Sequence, residues 1–114
     1  MKQLTKTLKV LADTNRLRII KLLGKKQLCV CELAFILGIT QPSTSRHLKK
    51  LKSAELISDE QEGLWTNYRI NIPSDAHGKI LMRNINSWLN NDPIITDDLK
   101  KSAKAKRKKL CCKG

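Results

Sequence analysis

The residues best suited to chemistry in this 114-residue chain are its four cysteines, which fall into two pairs. Cys29-Val30-Cys31 is followed at once by Glu32, and Cys111-Cys112 stands near the C-terminus. Soft sulfur ligands spaced this closely invite joint coordination of a thiophilic ion. A regular α-helix turns about 100° per residue, so thiolates at Cys29 and Cys31 would point about 200° apart and could not share one atom. They converge only if the turn carrying them is extended or unwound. A ligand there would then distort the helix that starts near Val30. The plain alternative is a buried cysteine packing as a small apolar side chain. Cys111-Cys112 lies among lysines that favour the reactive thiolate. That pair can chelate, form a disulfide or bring a third sulfur to Cys29 and Cys31. No Cys-x-x-Cys, phosphate-binding loop or acid/base pair accompanies these thiols, so an enzyme is not expected.

The second constellation lies between Thr40 and Leu51. On a helical wheel Thr44, Leu48 and Leu51 share one side, and Ser43, Arg46, Lys49 and Lys50 share the other. Gln41 and His47 sit towards the edges. Short donors at a helix start can approach base edges in the major groove, Arg reads guanine with two hydrogen bonds, and Lys neutralises phosphate. An ordinary solvated basic face has the same composition. Its position, directly after a tight turn and before a hairpin, favours a DNA-reading face.

The elements that must hold these groups follow from periodicity. Leu4, Leu8 and Leu11 mark a first helix, and Leu17, Ile20 and Leu23 a second, with Asp13 or Thr14 as its cap and Gly24 as its stop. A third helix runs from about Val30 to Leu37 and breaks at Gly38. Thr40 caps a fourth, with Pro42 tolerated in its first turn, ending near Leu56. Strand formers around Gln61-Glu62-Gly63, among them Ile57, Trp65, Tyr68 and Ile70, predict a hairpin. Asp75 opens a last helix through Leu81, Ile85, Trp88 and Leu89, which Asn90-Asn91-Asp92-Pro93 ends. His77 follows Asp75 too closely, with no further ligand along the helix, to mark a metal site. The order α-α-α-α-β-β-α is that of a winged helix-turn-helix, mainly α with a small β-hairpin. The apolar faces of the first and last helices exceed what one small core buries, which predicts a homodimer built on those two helices.

Charge divides the chain. The formal net charge is +13, and residues 100–114 hold eight cations and no acid, leaving +5 for residues 1–99. A folded domain over residues 1–92 and a basic, disordered tail over 93–114 are therefore expected. Four aromatic residues are too few for a base-stacking platform of the kind that reads single-stranded RNA. No apolar run spans a bilayer and no secretory signal is evident, so a reducing cytoplasm is the expected compartment.

Together, Leu11-Ala12-Asp13 with Arg16-Leu17, Leu28-Cys29-Val30-Cys31-Glu32-Leu33, Gln41-Pro42-Ser43-Thr44-Ser45-Arg46-His47-Leu48, and Gly63 with Trp65, Tyr68 and Arg69 resemble the ArsR/SmtB metal-sensing repressors. The resemblance spans roughly residues 5–90 and is strongest to the arsenic-responsive branch. It implies a winged-helix repressor on double-stranded operator DNA, released when trivalent arsenic or antimony binds thiolates, with no organic cofactor. By that similarity Cys29 and Cys31 are inducer ligands, and Gln41, Ser43, Thr44, Arg46 and His47 face DNA. The branch's third cysteine is Ala34 here, which leaves Cys111, Cys112 or a solution thiol to complete a trigonal site. Glu60 and Glu62 at the wing tip imply weak wing contacts. A cadmium-, lead- or zinc-responsive repressor, or one silenced by thiol oxidation, is the alternative within the same fold. A non-specific architectural DNA binder is the alternative outside it.

Overall fold

In the computed structural model, which describes residues 1–105, punctuation by cap residues sets the order of elements. The helices are α1 (Lys2–Leu11), α2 (Thr14–Leu23), α3 (Val30–Leu37), α4 (Gln41–Ser53), α5 (Ala76–Ser87) and α6 (Pro93–Lys104). The strands are β1 (Leu28–Cys29), β2 (Ile57–Glu62) and β3 (Trp65–Ile70). Asp13 caps α2 by accepting the Arg16 N–H at 3.0 Å, and Asp75 caps α5 through Gly78 at 2.9 Å. Each carboxylate satisfies an amide that the first helical turn leaves without a partner. Gly38 ends α3 at φ 70°, a left-handed conformation that costs other residues strain. That turn sets α4 across α3.

β2 and β3 pair antiparallel from Ile57 opposite Ile70 to Glu62 opposite Trp65, forming the wing. The sheet has a third member that the sequence pattern did not expose. β1 pairs with β3, Leu28 opposite Tyr68 and Cys29 opposite Asn67, giving the order β1-β3-β2. Two residues are too short for a periodic signal, but they tie the start of α3 to the wing. The core beneath combines Ile19, Leu22, Leu28, Leu33, Ile36, Leu48, Leu51 and Leu56, all essentially inaccessible. Removing this much apolar surface from water is the main stabilising term of the fold.

Residues 93–104 depart from expectation. They are not the start of a disordered tail but helix α6. Asp92 ends the preceding turn and also caps α6, accepting from Ile94 at 2.9 Å, while Pro93 takes the first helical position, where no N–H bond is lost. One face, Ile95, Asp98 and Ser102, is buried against α2 and α3. Arg18 holds Asp98, and Lys26 Nζ donates to the Ser102 carbonyl at 2.8 Å. The folded unit therefore extends through α6, beyond the boundary expected at residue 92. Cys111 and Cys112 lie outside the described residues, among which no helix is long and apolar enough to cross a membrane.

A buried lysine fixes α5. Lys21, on α2, is 4% exposed and donates to the carbonyls of Ile85, Asn86 and Trp88 and to Asn90 Oδ1, at 2.7 to 3.1 Å. A cation at the C-terminal end of a helix meets both the unpaired carbonyls and the negative pole of the helix dipole.

Candidate nucleic-acid interface and thiol site

Thr40 begins α4: its hydroxyl accepts the Ser43 N–H at 3.2 Å, and Pro42 fits the first turn. From there Gln41, Arg46, Lys49 and Lys50 are exposed and Ser43 and His47 half-buried. Six of the seven residues expected to face DNA thus share one accessible side of α4. Thr44 is the correction. It is 0% exposed and its hydroxyl donates to the Thr40 carbonyl at 2.9 Å. With Leu48 and Leu51 it belongs to the side of α4 that packs on the core, so it supports the helix and cannot touch a base.

Behind this face stands Arg16 of α2, which the composition of α4 could not reveal. Its Nε donates to His47 Nδ1 at 3.2 Å and its Nη1 to the Val10 carbonyl at 3.2 Å. His47 must therefore keep a lone pair at Nδ1. Burial pushes its pKa below the usual imidazole value; Asp13 opposes that shift, and Arg16, Lys50 and Arg46 add to it. The wing differs in charge from α4. Glu60 engages Arg69 at 3.0 Å and Asp59 engages Lys52 at 2.9 Å, so two cations near the hairpin already have anionic partners.

The cysteine segment starts where β1 becomes α3. Cys29 is extended (φ −93°, ψ 171°) and serves as the N-cap, so it lies outside the helix that carries Cys31. The regular-helix geometry that would hold the two sulfurs apart does not apply. Cys29 and Glu32 form a capping box: the sulfur accepts the Glu32 N–H, and the Glu32 carboxylate accepts the Cys29 N–H at 3.0 Å. Cys29 is 2% exposed and burial raises its thiol pKa, with the amide hydrogen bond from Glu32 acting the other way. Cys31 is half-buried, and its Sγ accepts from Gln41 Nε2 at 3.5 Å. That contact spans the turn between α3 and the first residue of α4. The Cys29 sulfur can take a thiophilic electrophile only after its buried thiol gives up its proton and its place in the cap.

A third feature lies on the far side. Leu8, Leu11, Leu17, Leu81, Ile85, Trp88 and Leu89 line an apolar trough of about 480 Å³ between α1 and α5. Trp88 is 52% and Leu8 48% exposed there.

Comparison with known proteins identifies the family and the fold. Residues 13–59 match the family model described as bacterial regulatory protein, arsR family. Two arsenic resistance transcriptional regulators of Pseudomonas putida are similar over most of their length. ArsR1 is 37% identical across 75% of this chain and 71% of its own, and ArsR2 is 32% identical across 91% and 93%. Among solved structures, the homodimeric winged helix-turn-helix DNA-binding domain Mb0332 from Mycobacterium bovis, a possible ArsR-family regulator, superposes with TM-score 0.64. It is 28% identical, over 75% of this chain and 77% of that one. Two helices joined by the Gly38 turn, the hairpin that follows them and near full-length similarity to ArsR2 agree: this chain is a winged helix-turn-helix protein and belongs to the arsR family of bacterial regulatory proteins.

Proposed function

We propose that the protein is a homodimeric transcriptional repressor of arsenical resistance that grips operator DNA with α4 and lets go when trivalent arsenic or antimony is captured at Cys29 and Cys31. The observation that carries this reading is the contact between Gln41 Nε2 and Cys31 Sγ, which links a candidate inducer ligand to the first residue of the reading helix. In the thiol-reduced protein, an arsenite hydroxyl leaves as water with each thiol proton as an S–As bond forms. The Cys29 sulfur then no longer accepts the Glu32 amide, and the Cys31 sulfur no longer accepts from Gln41. The first turn of α3 loosens and α4 loses its fixed entry angle. Trivalent arsenic takes three donors, and Cys111, Cys112 or a solution thiol supplies the third.

Gln41, Ser43, Arg46, His47, Lys49 and Lys50 are the DNA-facing groups in this scheme, with cations on phosphate and short donors on base edges. The α1/α5 trough is the surface that a second copy covers, which matches a two-fold operator. Thiols that must stay reduced to sense arsenic place the protein in the cytoplasm.

The test uses reduced protein on a fluorescent duplex that the protein itself selects from a random pool, followed by anisotropy. Arsenite or antimonite is expected to release the duplex and zinc to leave it bound. Cys29→Ser and Cys31→Ser should bind the duplex as wild type does and fail to release it. Release by cadmium alone, or arsenite release unchanged in both variants, overturns the assignment of inducer.

A further inference from the structure

α2 and α4 enclose a small basic cavity lined by Arg16, Ser43, Arg46, His47 and Lys50, with a volume of about 140 Å³. Pockets for organic ligands run from about 300 Å³ upward, so this one is sized for a small oxyanion. Among the described residues, none of Arg16, Arg46 and Lys50 has a carboxylate partner, in contrast to Lys52 and Arg69. Asp13 is the nearest acid by sequence to Arg16, but it accepts only the Arg16 backbone N–H. Three cations gathered with only Asp13 near enough to act on His47, and with no ion pair of their own among the described residues, repel one another, a cost that an incoming negative charge removes.

Arg16 is half-buried and held on two sides. Its Nε is engaged by His47 and its Nη1 by the Val10 carbonyl, which leaves Nη2 with both hydrogens available among the described residues. A guanidinium fixed in this way has already lost much of its rotamer freedom and presents a planar donor edge suited to phosphate oxygens. We propose that this cavity binds one phosphate of the DNA backbone, clamped between Arg16 of α2 and the Ser43, Arg46 and Lys50 side chains of α4. The proposal rests on the reading of α4 as the DNA-facing helix and adds a contact from a second element. Phosphate contacts fix register and carry no sequence information, so Arg16 sets the angle at which α4 enters the groove.

The experiment measures duplex affinity against salt concentration for wild type, Arg16→Gln, Arg16→Lys, Arg46→Gln and Lys50→Gln. It uses the selected duplex and a scrambled one, with thermal unfolding as the check on folding. Each lost phosphate contact should lower the slope of log K against log salt by about 0.9. Arg16→Gln is expected to weaken binding to both duplexes by roughly tenfold, the scale of a charge-assisted hydrogen bond. Arg16→Lys should keep most of the slope and recover part of the affinity, a rescue that a purely structural role would not give.

If Arg46→Gln and Lys50→Gln weaken binding while Arg16→Gln keeps the wild-type affinity and slope, the clamp is overturned and the α4 reading stands. If none of the three matters, the α4 reading fails and the phosphate site with it. Should Arg16→Gln not fold, a scan of duplexes carrying single methylphosphonates decides the matter with wild type and Arg16→Lys. A position whose neutralisation costs wild type more than Arg16→Lys supports the clamp, and equal costs at every position overturn it.

Discussion

Arg18 grips Asp98 across eighty residues with two contacts of 2.8 Å, Nε to Oδ2 and Nη2 to Oδ1, while its Nη1 donates to Asn15 Oδ1 and to the Leu37 carbonyl. One guanidinium thereby joins α2, the last residue of α3 and the fully buried acid of α6. Burying both charges is costly, and the pair is tolerated because each partner satisfies the other in fork geometry. Asp98→Asn should lower unfolding free energy by about 3 kcal/mol, the lower end of the range for breaking a buried pair, because Arg18 keeps some solvent access. Urea unfolding measures the loss. The double variant Arg18→Met/Asp98→Leu should recover much of it, since no charge is left stranded. A single variant as stable as wild type would show that α6 is held by Ile95 and its apolar neighbours alone.

Lys21 should be as sensitive for a different reason. Replacing it with Met preserves the stem and removes the ammonium from three carbonyls and the Asn90 amide. Burial already lowers the pKa of Lys21, with Lys25 adding to the effect, so the cation remains there only because its acceptors compensate. Lys21→Met is expected to cost about 2–3 kcal/mol, because several buried acceptors lose their donor. The variant should also loosen the end of α5, where Trp88 and Leu89 border the apolar trough. Sedimentation equilibrium beside a urea titration separates the two effects. Unchanged stability would mean that water replaces the ammonium without loss.

The parts of the fold that were legible are those specified by neighbours in sequence. Gly38, Thr40 and Pro42 define the turn and the start of α4 within five residues, and Asp13 and Asp75 act as caps on the helices that directly follow them. α6 has an equally local start signal in Asp92-Pro93, but the same residues also read as the stop of the preceding helix, which in fact ends five residues earlier at Ser87. The cations from Lys100 onward suggested a solvated string. α6 docks through Ile95, Asp98 and Ser102, and the partner of Asp98 lies on α2, beyond the reach of any local pattern. The exposed side of α4 followed from helical spacing, which also set Thr44 apart with Leu48 and Leu51. Arg16 was visible as a residue of the family resemblance, but its role depends on how α2 packs against α4. The place of the Cys29 sulfur depends on backbone state: Cys29 caps the helix from outside, and a helical wheel drawn through it misplaces the sulfur.

His47 makes stability depend on pH in a defined direction. Its folded pKa lies below the usual value of about 6.5, and the unfolded chain titrates near that value. Above both values His47 is neutral in either state and its contribution is complete. As pH falls below about 6.5 the unfolded chain takes up the proton first, so stability falls until the folded imidazole also titrates. Protonation at Nδ1 also ends the hydrogen bond from Arg16. His47→Gln should therefore lose less stability than wild type between pH 7.5 and pH 5.5, as read from urea midpoints. Equal losses would assign the acid sensitivity to other groups.

Cys29 tests whether the cap and the sulfur can be separated. Its Sγ accepts the Glu32 amide at the start of α3, a task for which serine is intrinsically better suited. Cys29→Ser should keep the helix start and the stability of wild type within about 1 kcal/mol, because the hydroxyl keeps the cap hydrogen bond at this buried position. Cys29→Ala leaves the Glu32 amide without its acceptor and should cost about 1 kcal/mol more than Cys29→Ser. Chemical unfolding of the reduced variants measures both. The comparison matters for the switch because an arsenical bound to Cys29 removes the same hydrogen bond that alanine removes. If Cys29→Ala unfolds at the same urea concentration as Cys29→Ser, the cap contributes nothing to α3, and capture of this sulfur has no means of loosening the helix that leads into α4.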